Sequence, residues 1–379
     1  MNALTRAQSE QSERVILSLQ GSPDVPPALL QYSHRLASRL IRILADPRFS
    51  TTQRSSFQRF LDNFSPAARE KRKRFRSEYG IAPEGYVLGI TDRCNLNCAY
   101  CYSRSSPSRL HDISTCDATM IIKEMAGTFG ITFVTVSGGE TFPRILDIAG
   151  ANPDTLFLAY TNGSYIDSSV AREVKSLGNV WPALTLLGDV EVHDAVRGKG
   201  SFCSVMQAAE SLSLHNVVWG FSVTESKANL ERILDGSLLD MCQRRNPFFV
   251  RMIPYVSSGR RGNTTLALNE LDRRAVANIL GSLKSKHDFV IYDYVHDDEL
   301  GIGCMAGGLR YFYISPDLQI HPCVFMDVGE KISVDRQIGR TNIVELLISS
   351  PIMIRARKMA RHNRCVVLDV RGWRSALVG

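Results

Sequence analysis

Short apolar runs alternate along most of the chain with longer stretches in which apolar residues recur every three or four positions. The short runs predict buried strands, and the wider spacing predicts amphipathic helices. The predicted strands cover residues 86–91, 133–137, 155–161, 180–187, 217–224 and 248–254, followed by a further strand over 287–295. The predicted helices cover residues 116–129, 168–177, 202–215, 229–245 and 270–286. This alternation indicates an α/β fold with a parallel sheet.

The amino-terminal part has a different pattern. Residues 1–24 are polar, and an amphipathic helix is predicted to end near Pro47. A second helix is predicted around residues 57–64, and a third over the basic run 69–76. We therefore predict a helical extension that packs on the rest of the molecule.

The length of the chain suggests more than one domain. At ~100–200 residues per domain, 379 residues suit two or three units. We predict a basic helical extension over 1–80, the α/β core over 81–295 and a separate domain over 296–379. No apolar run approaches the ~18 residues of a membrane span, and the first twenty residues lack the apolar centre of a secretory signal. We expect a soluble, cytoplasmic protein without membrane contacts.

The net charge of +7 comes entirely from the extension. Residues 1–80 contain 14 Lys and Arg against 7 Asp and Glu, which leaves 45 − 14 = 31 against 38 − 7 = 31 in the remainder. The run 69–76 would suit nucleic acid, an acidic peptide or an acidic partner protein. It lacks aromatic residues arranged for base stacking, which favours a solvated helix face over nucleic-acid binding.

Three of the nine cysteines stand close together. Cys94, Cys98 and Cys101 are separated by three and then two residues, and an odd total fits a disulfide scaffold poorly. Three thiolates at this spacing suit a metal centre. A zinc ion would require a fourth protein ligand, whereas an iron-sulfur cluster held by three cysteines keeps one iron free.

The context of these cysteines resembles the radical S-adenosylmethionine (radical SAM) enzymes. An apolar run leads directly into the loop, and Tyr100 immediately precedes the last cysteine. The resemblance implies a partial (β/α)6 barrel, a 4Fe-4S cluster on Cys94, Cys98 and Cys101, and S-adenosylmethionine as cofactor. It also implies an electron donor such as flavodoxin or ferredoxin.

Two further segments resemble the family's cofactor-binding segments. Gly138, Gly139 and Glu140 follow the second predicted strand, and the resemblance implies that they hold the amino group of S-adenosylmethionine. Glycines allow close backbone approach, and a carboxylate pairs with an ammonium. Thr161 and Asn162, at the end of the third strand, are implied as further cofactor contacts.

The fourth strand and the segment after it resemble the peptide-maturase branch of the family, through His193-Asp194, Arg197-Gly198 and Gly200-Ser201-Phe202. The acidic residue usual just before the strand's glycine is Leu187 here. Thr185 or Asp189 are the candidates to replace it. Arg197 is implied as a contact for the cofactor carboxylate or a substrate anion.

The carboxyl-terminal segment is similar to the twitch and SPASM domains, which bind an auxiliary iron-sulfur cluster. Cys304, Cys323 and Cys365 are the implied ligands, with an apolar hairpin between the first two. The sequence has Leu318 where the hairpin turn usually has glycine, and Leu368 near the position of an expected fourth cysteine. The candidate fourth ligands are His362, Asp369 and Cys242. Alternatively, Cys304, Cys323 and Cys365 are core cysteines without a metal, since free Cys is often buried.

The resemblance implies an enzyme that generates a 5′-deoxyadenosyl radical and abstracts a hydrogen atom from a peptide or natural-product substrate. A dehydrogenase or epimerase acting on a sugar or aminoglycoside-like small molecule is the alternative within the superfamily. A non-catalytic metal- or nucleic-acid-binding protein is the alternative of another class.

Overall fold

The computed structural model describes residues 47–103, 105, 111–258, 262–293, 304–360, 365–369 and 372–378. The first predicted helix, which ends near Pro47, lies outside these residues. Among the described residues, no helix is long and apolar enough to cross a membrane.

One ten-stranded sheet organises the described chain. Its parallel strands are β1 (Val87–Thr91), β2 (Phe133–Gly138), β3 (Leu156–Thr161), β4 (Val180–Leu186), β5 (Gly220–Glu225), β6 (Phe249–Pro254) and β7 (Val290–Asp293). They lie side by side in chain order. The sheet continues beyond β1 through β8 (Tyr313–Ile314), β9 (Gln319–His321) and β10 (Glu330–Lys331), and β11 (Val334–Asp335) pairs separately with β12 (Arg340–Thr341). The six strands predicted for a partial barrel are confirmed, and the predicted strand over 287–295 extends the sheet as β7.

Helices connect and cover these strands. They are α1 (Thr51–Asp62), α2 (Pro66–Tyr79), α3 (Thr115–Phe129), α4 (Arg144–Ala151), α5 (Ser168–Leu177), α6 (Val190–Arg197), α7 (Ser201–Leu214), α8 (Leu230–Leu234), α9 (Ser237–Gln243), α10 (Glu270–Lys286), α11 (Ile343–Ser349), α12 (Pro351–Ala360), α13 (Val366–Asp369) and α14 (Trp373–Val378), with a 3-10 turn at Thr264–Leu266. The single helix predicted over 229–245 is wrong, because Gly236 adopts φ +80° and separates α8 from α9. The predictions over 168–177 and 270–286 are confirmed.

Helix α1 closes the amino-terminal end of the parallel strands. The ring of Phe57 packs against Trp181 and Phe248, with centroids 4.9 and 5.5 Å apart. The Trp181 indole N–H donates to the hydroxyl of Ser56 at 3.2 Å. The other ends of the strands carry the cysteine loop and every cofactor segment predicted from the sequence.

The basic run is only partly a solvated face. Lys73 and Arg74 are exposed, as expected. Arg72 is 5% exposed, so the interpretation is wrong for this residue. Its Nε donates to the carbonyl of Phe129 at 3.1 Å, and the neighbouring Lys71 donates to that of Gly127 at 2.9 Å. Both cations therefore satisfy carbonyl groups at the end of α3, where positive charge is favoured.

The carboxyl-terminal segment continues the main sheet. Strand β8 pairs in parallel with β1, and β9 returns antiparallel to β8. Leu318 in the connecting turn has φ +58°, which explains why glycine is the usual residue there. Arg336 binds both carboxylate oxygens of Asp117 at 2.8 Å and thereby attaches the β11–β12 hairpin to α3. The division into three domains stays a prediction.

Candidate cofactor site

The loop after β1 displays the three cysteines. Its first turn is fixed by Thr91, whose hydroxyl accepts from the Arg93 N–H at 3.1 Å and donates to Asp112 at 2.5 Å. Further along, the Ala99 N–H donates to the carbonyl of Val196 in α6 at 3.0 Å. Cys94, Cys98 and Cys101 are each half-buried in the loop held in this way.

Burial disfavours an unliganded thiolate at Cys94. Loss of solvent raises the pKa of Cys94 to about 11, although the Leu96 N–H donates to its sulfur and lowers it in part. Iron ligation would stabilise the thiolate that the fold alone disfavours. Three half-buried thiols around one cavity therefore fit a cluster with three cysteine ligands.

Gly138 and Gly139 bring the end of β2 against the cysteine loop. A Cβ on Gly138 would lie 2.2 Å from the carbonyl oxygen of Thr91, and one on Gly139 would lie 1.8 Å from that of Arg93. The Gly139 N–H donates to Thr91 at 2.7 Å, and the Glu140 N–H donates to Arg93 at 2.8 Å. These glycines therefore permit contact between two backbone segments, in addition to any contact with a ligand.

Glu140 is a buried carboxylate beside these glycines. Its Oε1 accepts from the Phe142 N–H at 3.1 Å and the Thr161 hydroxyl at 2.6 Å, and its Oε2 accepts from the Asn162 N–H at 2.7 Å. Burial raises its pKa, which these donors and Arg197 partly counteract. Thr161 thus orients Glu140 through its hydroxyl.

Asn162 connects β3 to the cysteine loop. Its side-chain amide donates to Asn95 at 2.9 Å and lies 4.0 Å from the Cys94 sulfur. Asn95 in turn donates to Ser164 at 2.9 Å. The predicted cofactor contact therefore also holds one of the cysteines in place.

Only one of the two candidates to replace the acidic residue at position 187 lies in the central cavity. Thr185 lines the central cavity. Asp189 does not, because its carboxylate caps α6 by accepting from the Val192 N–H at 3.1 Å and pairs with Arg232. Leu187 is buried, and its carbonyl accepts from Asn229 at 2.6 Å.

The segment after β4 contains Asp194, which caps helix α7, and Arg197, whose side chain lines the central cavity. Asp194 accepts from the N–H groups of Gly200 and Phe202 at 2.7 and 2.8 Å, and so caps the start of α7. Arg197, one turn further along α6, lines the central cavity. Its positive charge counteracts the raised pKa of both Tyr100 and Glu140 and therefore acts on the cysteine loop and on the segment after β2.

A single cavity of about 500 Å³ joins these residues. Its lining contains the three cysteines of the loop and all seven side chains or glycines predicted to contact the cofactor: Gly138, Gly139, Glu140, Thr161, Asn162, Thr185 and Arg197. The sequence therefore predicted one side of the cavity. The structure brings these positions, up to 103 residues apart (Cys94 to Arg197), into one site.

The opposite side of the cavity was not predicted. Arg251, in the middle of β6, lies over the rings of Tyr160 and Tyr292, 5.6 and 5.3 Å from their centroids. All three residues line the cavity. The available signal was an arginine inside the apolar run 248–254, at a position that points inward when the strand alternates.

The three carboxyl-terminal cysteines meet in a second site. Cys304 contacts Cys365 by a side-chain hydrogen bond, and this contact together with burial and Cys323 raises the pKa of Cys365 well above its usual value. Burial likewise raises the pKa of Cys323 to about 12. Neighbouring thiols of this kind would suit an iron-sulfur cluster with cysteine ligands.

The structure excludes one of the three candidate fourth ligands of this second site. Cys242 is fully buried in the main core with residues of α9 and β6, so it is wrong as a ligand. His362 and the side chain of Asp369 lie outside the described residues. Leu368 follows Cys365 in α13, and its N–H donates to the Cys365 carbonyl at 3.2 Å.

Comparison with known proteins identifies the class of this domain. Residues 88–233 match the family model described as the radical SAM superfamily. This stretch contains β1 from its second residue, β2 to β5, the cysteine loop and every predicted cofactor contact. Residues 88–233 therefore form a radical SAM domain.

Two similar proteins match the chain beyond the family model. The chain is 25% identical over 258 residues to the sporulation killing factor maturation protein SkfB of Bacillus subtilis, covering 65% of this chain and 61% of SkfB. It is 28% identical over 211 residues to the Fe-coproporphyrin III synthase of Methanosarcina barkeri, covering 53% of this chain and 52% of that protein. The chain thus spans about half to three fifths of these relatives' lengths.

A solved structure supports the fold. The crystal structure of Streptococcus suis SuiB bound to S-adenosylmethionine superposes with a TM-score of 0.61 at 16% identity, covering 87% of this chain and 80% of SuiB. At this identity the similarity establishes a shared fold. It extends past the radical SAM domain into the remainder of the chain.

Proposed function

We propose that this protein is a radical SAM enzyme that cleaves S-adenosylmethionine reductively and abstracts a hydrogen atom from a peptide substrate. The observation that carries the proposal is the common cavity of Cys94, Cys98 and Cys101 with Gly138 to Glu140, Asn162, Thr185 and Arg197. The three cysteines would hold a 4Fe-4S cluster and leave one iron open to the methionyl group. When bound, the cluster and cofactor supply one-electron cleavage of a carbon–sulfur bond and a 5′-deoxyadenosyl radical.

The chain's own residues would bind the cofactor and orient it. Glu140 would accept a hydrogen bond from the methionyl ammonium, and Arg197 would pair with the carboxylate. Asn162 holds Cys94, and Thr185, which lines the cavity, would offer a hydroxyl to the cofactor ribose or the substrate. Helix α1 covers the far end of the strands and excludes water from that side, which strengthens each of these polar contacts.

A peptide substrate is supported by two similar proteins. SkfB is named a maturation protein, and SuiB has been crystallised with its precursor peptide SuiA. We further propose that an electron donor of the flavodoxin or ferredoxin class reduces the cluster. Nine cysteines, none of them in a described disulfide, suit the reducing cytoplasm.

A small-molecule substrate is the second candidate. It is favoured by the similarity to an Fe-coproporphyrin III synthase, whose name indicates a tetrapyrrole. To separate the two, an extract of cells grown in deuterated medium would be divided into peptide and small-molecule fractions and supplied to the enzyme. The fraction that transfers deuterium into 5′-deoxyadenosine contains the substrate.

The central claim is tested by anaerobic reconstitution with iron and sulfide, followed by reduction with dithionite and measurement of 5′-deoxyadenosine. Replacing Cys94, Cys98 and Cys101 together by Ala should reduce formation of this product to the level without protein. The matched control replaces the exposed Cys116 and Cys203 by Ala and should retain activity. Cleavage that survives in the triple variant would show that the proposal is wrong.

A further inference from the structure

Tyr311 lies beside the second cysteine site, just before β8. Its N–H donates to the carbonyl of Met305 at 3.1 Å, and its own carbonyl accepts from the Gly308 N–H at 3.0 Å. These backbone bonds fix Tyr311 next to the segment that begins with Cys304. The side chain is 8% exposed and packs in the same apolar cluster as Cys323.

The hydroxyl of Tyr311 has a defined direction. It accepts from the Val324 N–H at 2.7 Å and lies 3.8 Å from the Cys323 sulfur, towards which it donates. The Val324 bond uses one acceptor position of the oxygen, and the single hydroxyl proton is donated towards the sulfur.

Tyr311 also faces the main cavity. Met305, Tyr311, Val324 and Phe325 line that cavity, whereas Cys323 is absent from its lining. Phe325 packs on Tyr102 with ring centroids 5.3 Å apart, and Tyr102 directly follows Cys101. These side chains thus lie between the main cavity and the second cysteine site. Tyr311 lines the cavity and also contacts Cys323.

We infer that Tyr311 is a positioning residue that sets the reduction potential of an auxiliary iron-sulfur cluster on Cys304, Cys323 and Cys365. The inference rests on the presence of that cluster, which the sequence resemblance implies, and on the proposed function as a radical SAM enzyme. Reduction adds negative charge to a cluster and its thiolates, so a hydroxyl that donates to a ligand sulfur stabilises the reduced state more than the oxidised state. Tyr311 therefore raises the potential relative to a variant without the hydroxyl.

The test isolates the auxiliary site. In a protein with Cys94, Cys98 and Cys101 replaced by Ala, iron and sulfide are counted after reconstitution, and the midpoint potential is measured by redox titration followed with electron paramagnetic resonance. Tyr311→Phe in this background should retain its iron and show a lower midpoint potential. The matched control is Tyr313→Phe, a change in the same apolar cluster at a ring that lies against His321. The control should leave the midpoint unchanged.

Each outcome decides the inference. Loss of iron confined to Tyr311→Phe, in a protein that melts at the same temperature as Tyr313→Phe, would overturn the inference, because the hydroxyl would then hold the cluster in place and not set its potential. Equal midpoints in Tyr311→Phe and its parent at equal iron content would overturn it, as would a parent that holds no iron. Production of 5′-deoxyadenosine by the wild-type protein judges the proposed function separately.

Discussion

Replacement of Glu140 by Gln tests the cofactor site at its most constrained side chain. The carboxylate is 6% exposed and already accepts three hydrogen bonds, from Phe142, Thr161 and Asn162. A carboxylate offers about four acceptor positions. The three donors therefore leave one position, on the oxygen that faces the Asn162 N–H, for the ammonium of a ligand.

The amide of Gln cannot reproduce this arrangement. It has one oxygen in place of two, so at least one of the three donors meets an NH2 group. A buried donor without an acceptor costs about 1–3 kcal/mol of folding free energy. A hydrogen bond to a charged group contributes about 1.5–3 kcal/mol. Since a factor of ten in Kd corresponds to about 1.4 kcal/mol, we expect S-adenosylmethionine to bind at least about tenfold more weakly.

The assay is anaerobic equilibrium dialysis of S-adenosylmethionine against reconstituted protein, with the urea midpoint measured in parallel. Glu173→Gln, at an exposed position of α5, is the control for loss of a negative charge. It should change neither the Kd nor the midpoint. A folded Glu140→Gln protein with full iron content and the wild-type Kd would refute the assignment of the fourth acceptor position to the ammonium.

Two further predictions concern stability. Arg72→Met should lower the free energy of unfolding by about 2–4 kcal/mol in urea titration, because carbonyl groups at the end of α3 lose a buried charged donor. The control Lys73→Met, at an exposed position, should change the free energy of unfolding by less than about 0.5 kcal/mol. Equal effects of the two changes would contradict the buried role of Arg72. Burial, and then Asp293, raise the pKa of Glu225 well above its usual value, so the folded state retains a proton that the unfolded state releases as the pH rises above about 4. Wild-type stability should therefore fall relative to Glu225→Gln by about 1 kcal/mol per pH unit until the folded pKa is reached, and a difference that is constant between pH 5 and pH 8 would contradict this.

The sheet could be predicted because its strands are buried on both faces. Such strands appear in the sequence as continuous apolar runs, and the runs 133–137 and 155–161 each coincide with a strand of the structure to within one residue. The resemblance predicted residues that share one cavity for a different reason. Short motifs at strand ends are brought to one edge by a parallel sheet, whatever the length of the helices between them.

Other features depend on partners that are distant in sequence. Arg72 appears within a basic run that suits solvent, and only the end of α3, more than fifty residues later, shows why it is buried. Arg251 similarly interrupts an apolar strand, and its neighbours Tyr160 and Tyr292 belong to two other strands. Local patterns contain no information about such pairings, so sequence reasoning missed both residues.

The cysteine loop is fixed by bonds that require no cysteine side chain. The Gly139 and Glu140 N–H groups donate to its carbonyls from β2, and the Val196 carbonyl accepts the Ala99 N–H from α6. Asn162 adds a side-chain bond to Asn95 from β3. Three neighbouring elements thus determine the path of the loop, and the thiols are held together by the fold itself. Gly138 and Gly139 are consequently required for the arrangement of the three thiols as well as for the proposed cofactor contact, because a side chain at either position would separate β2 from the loop.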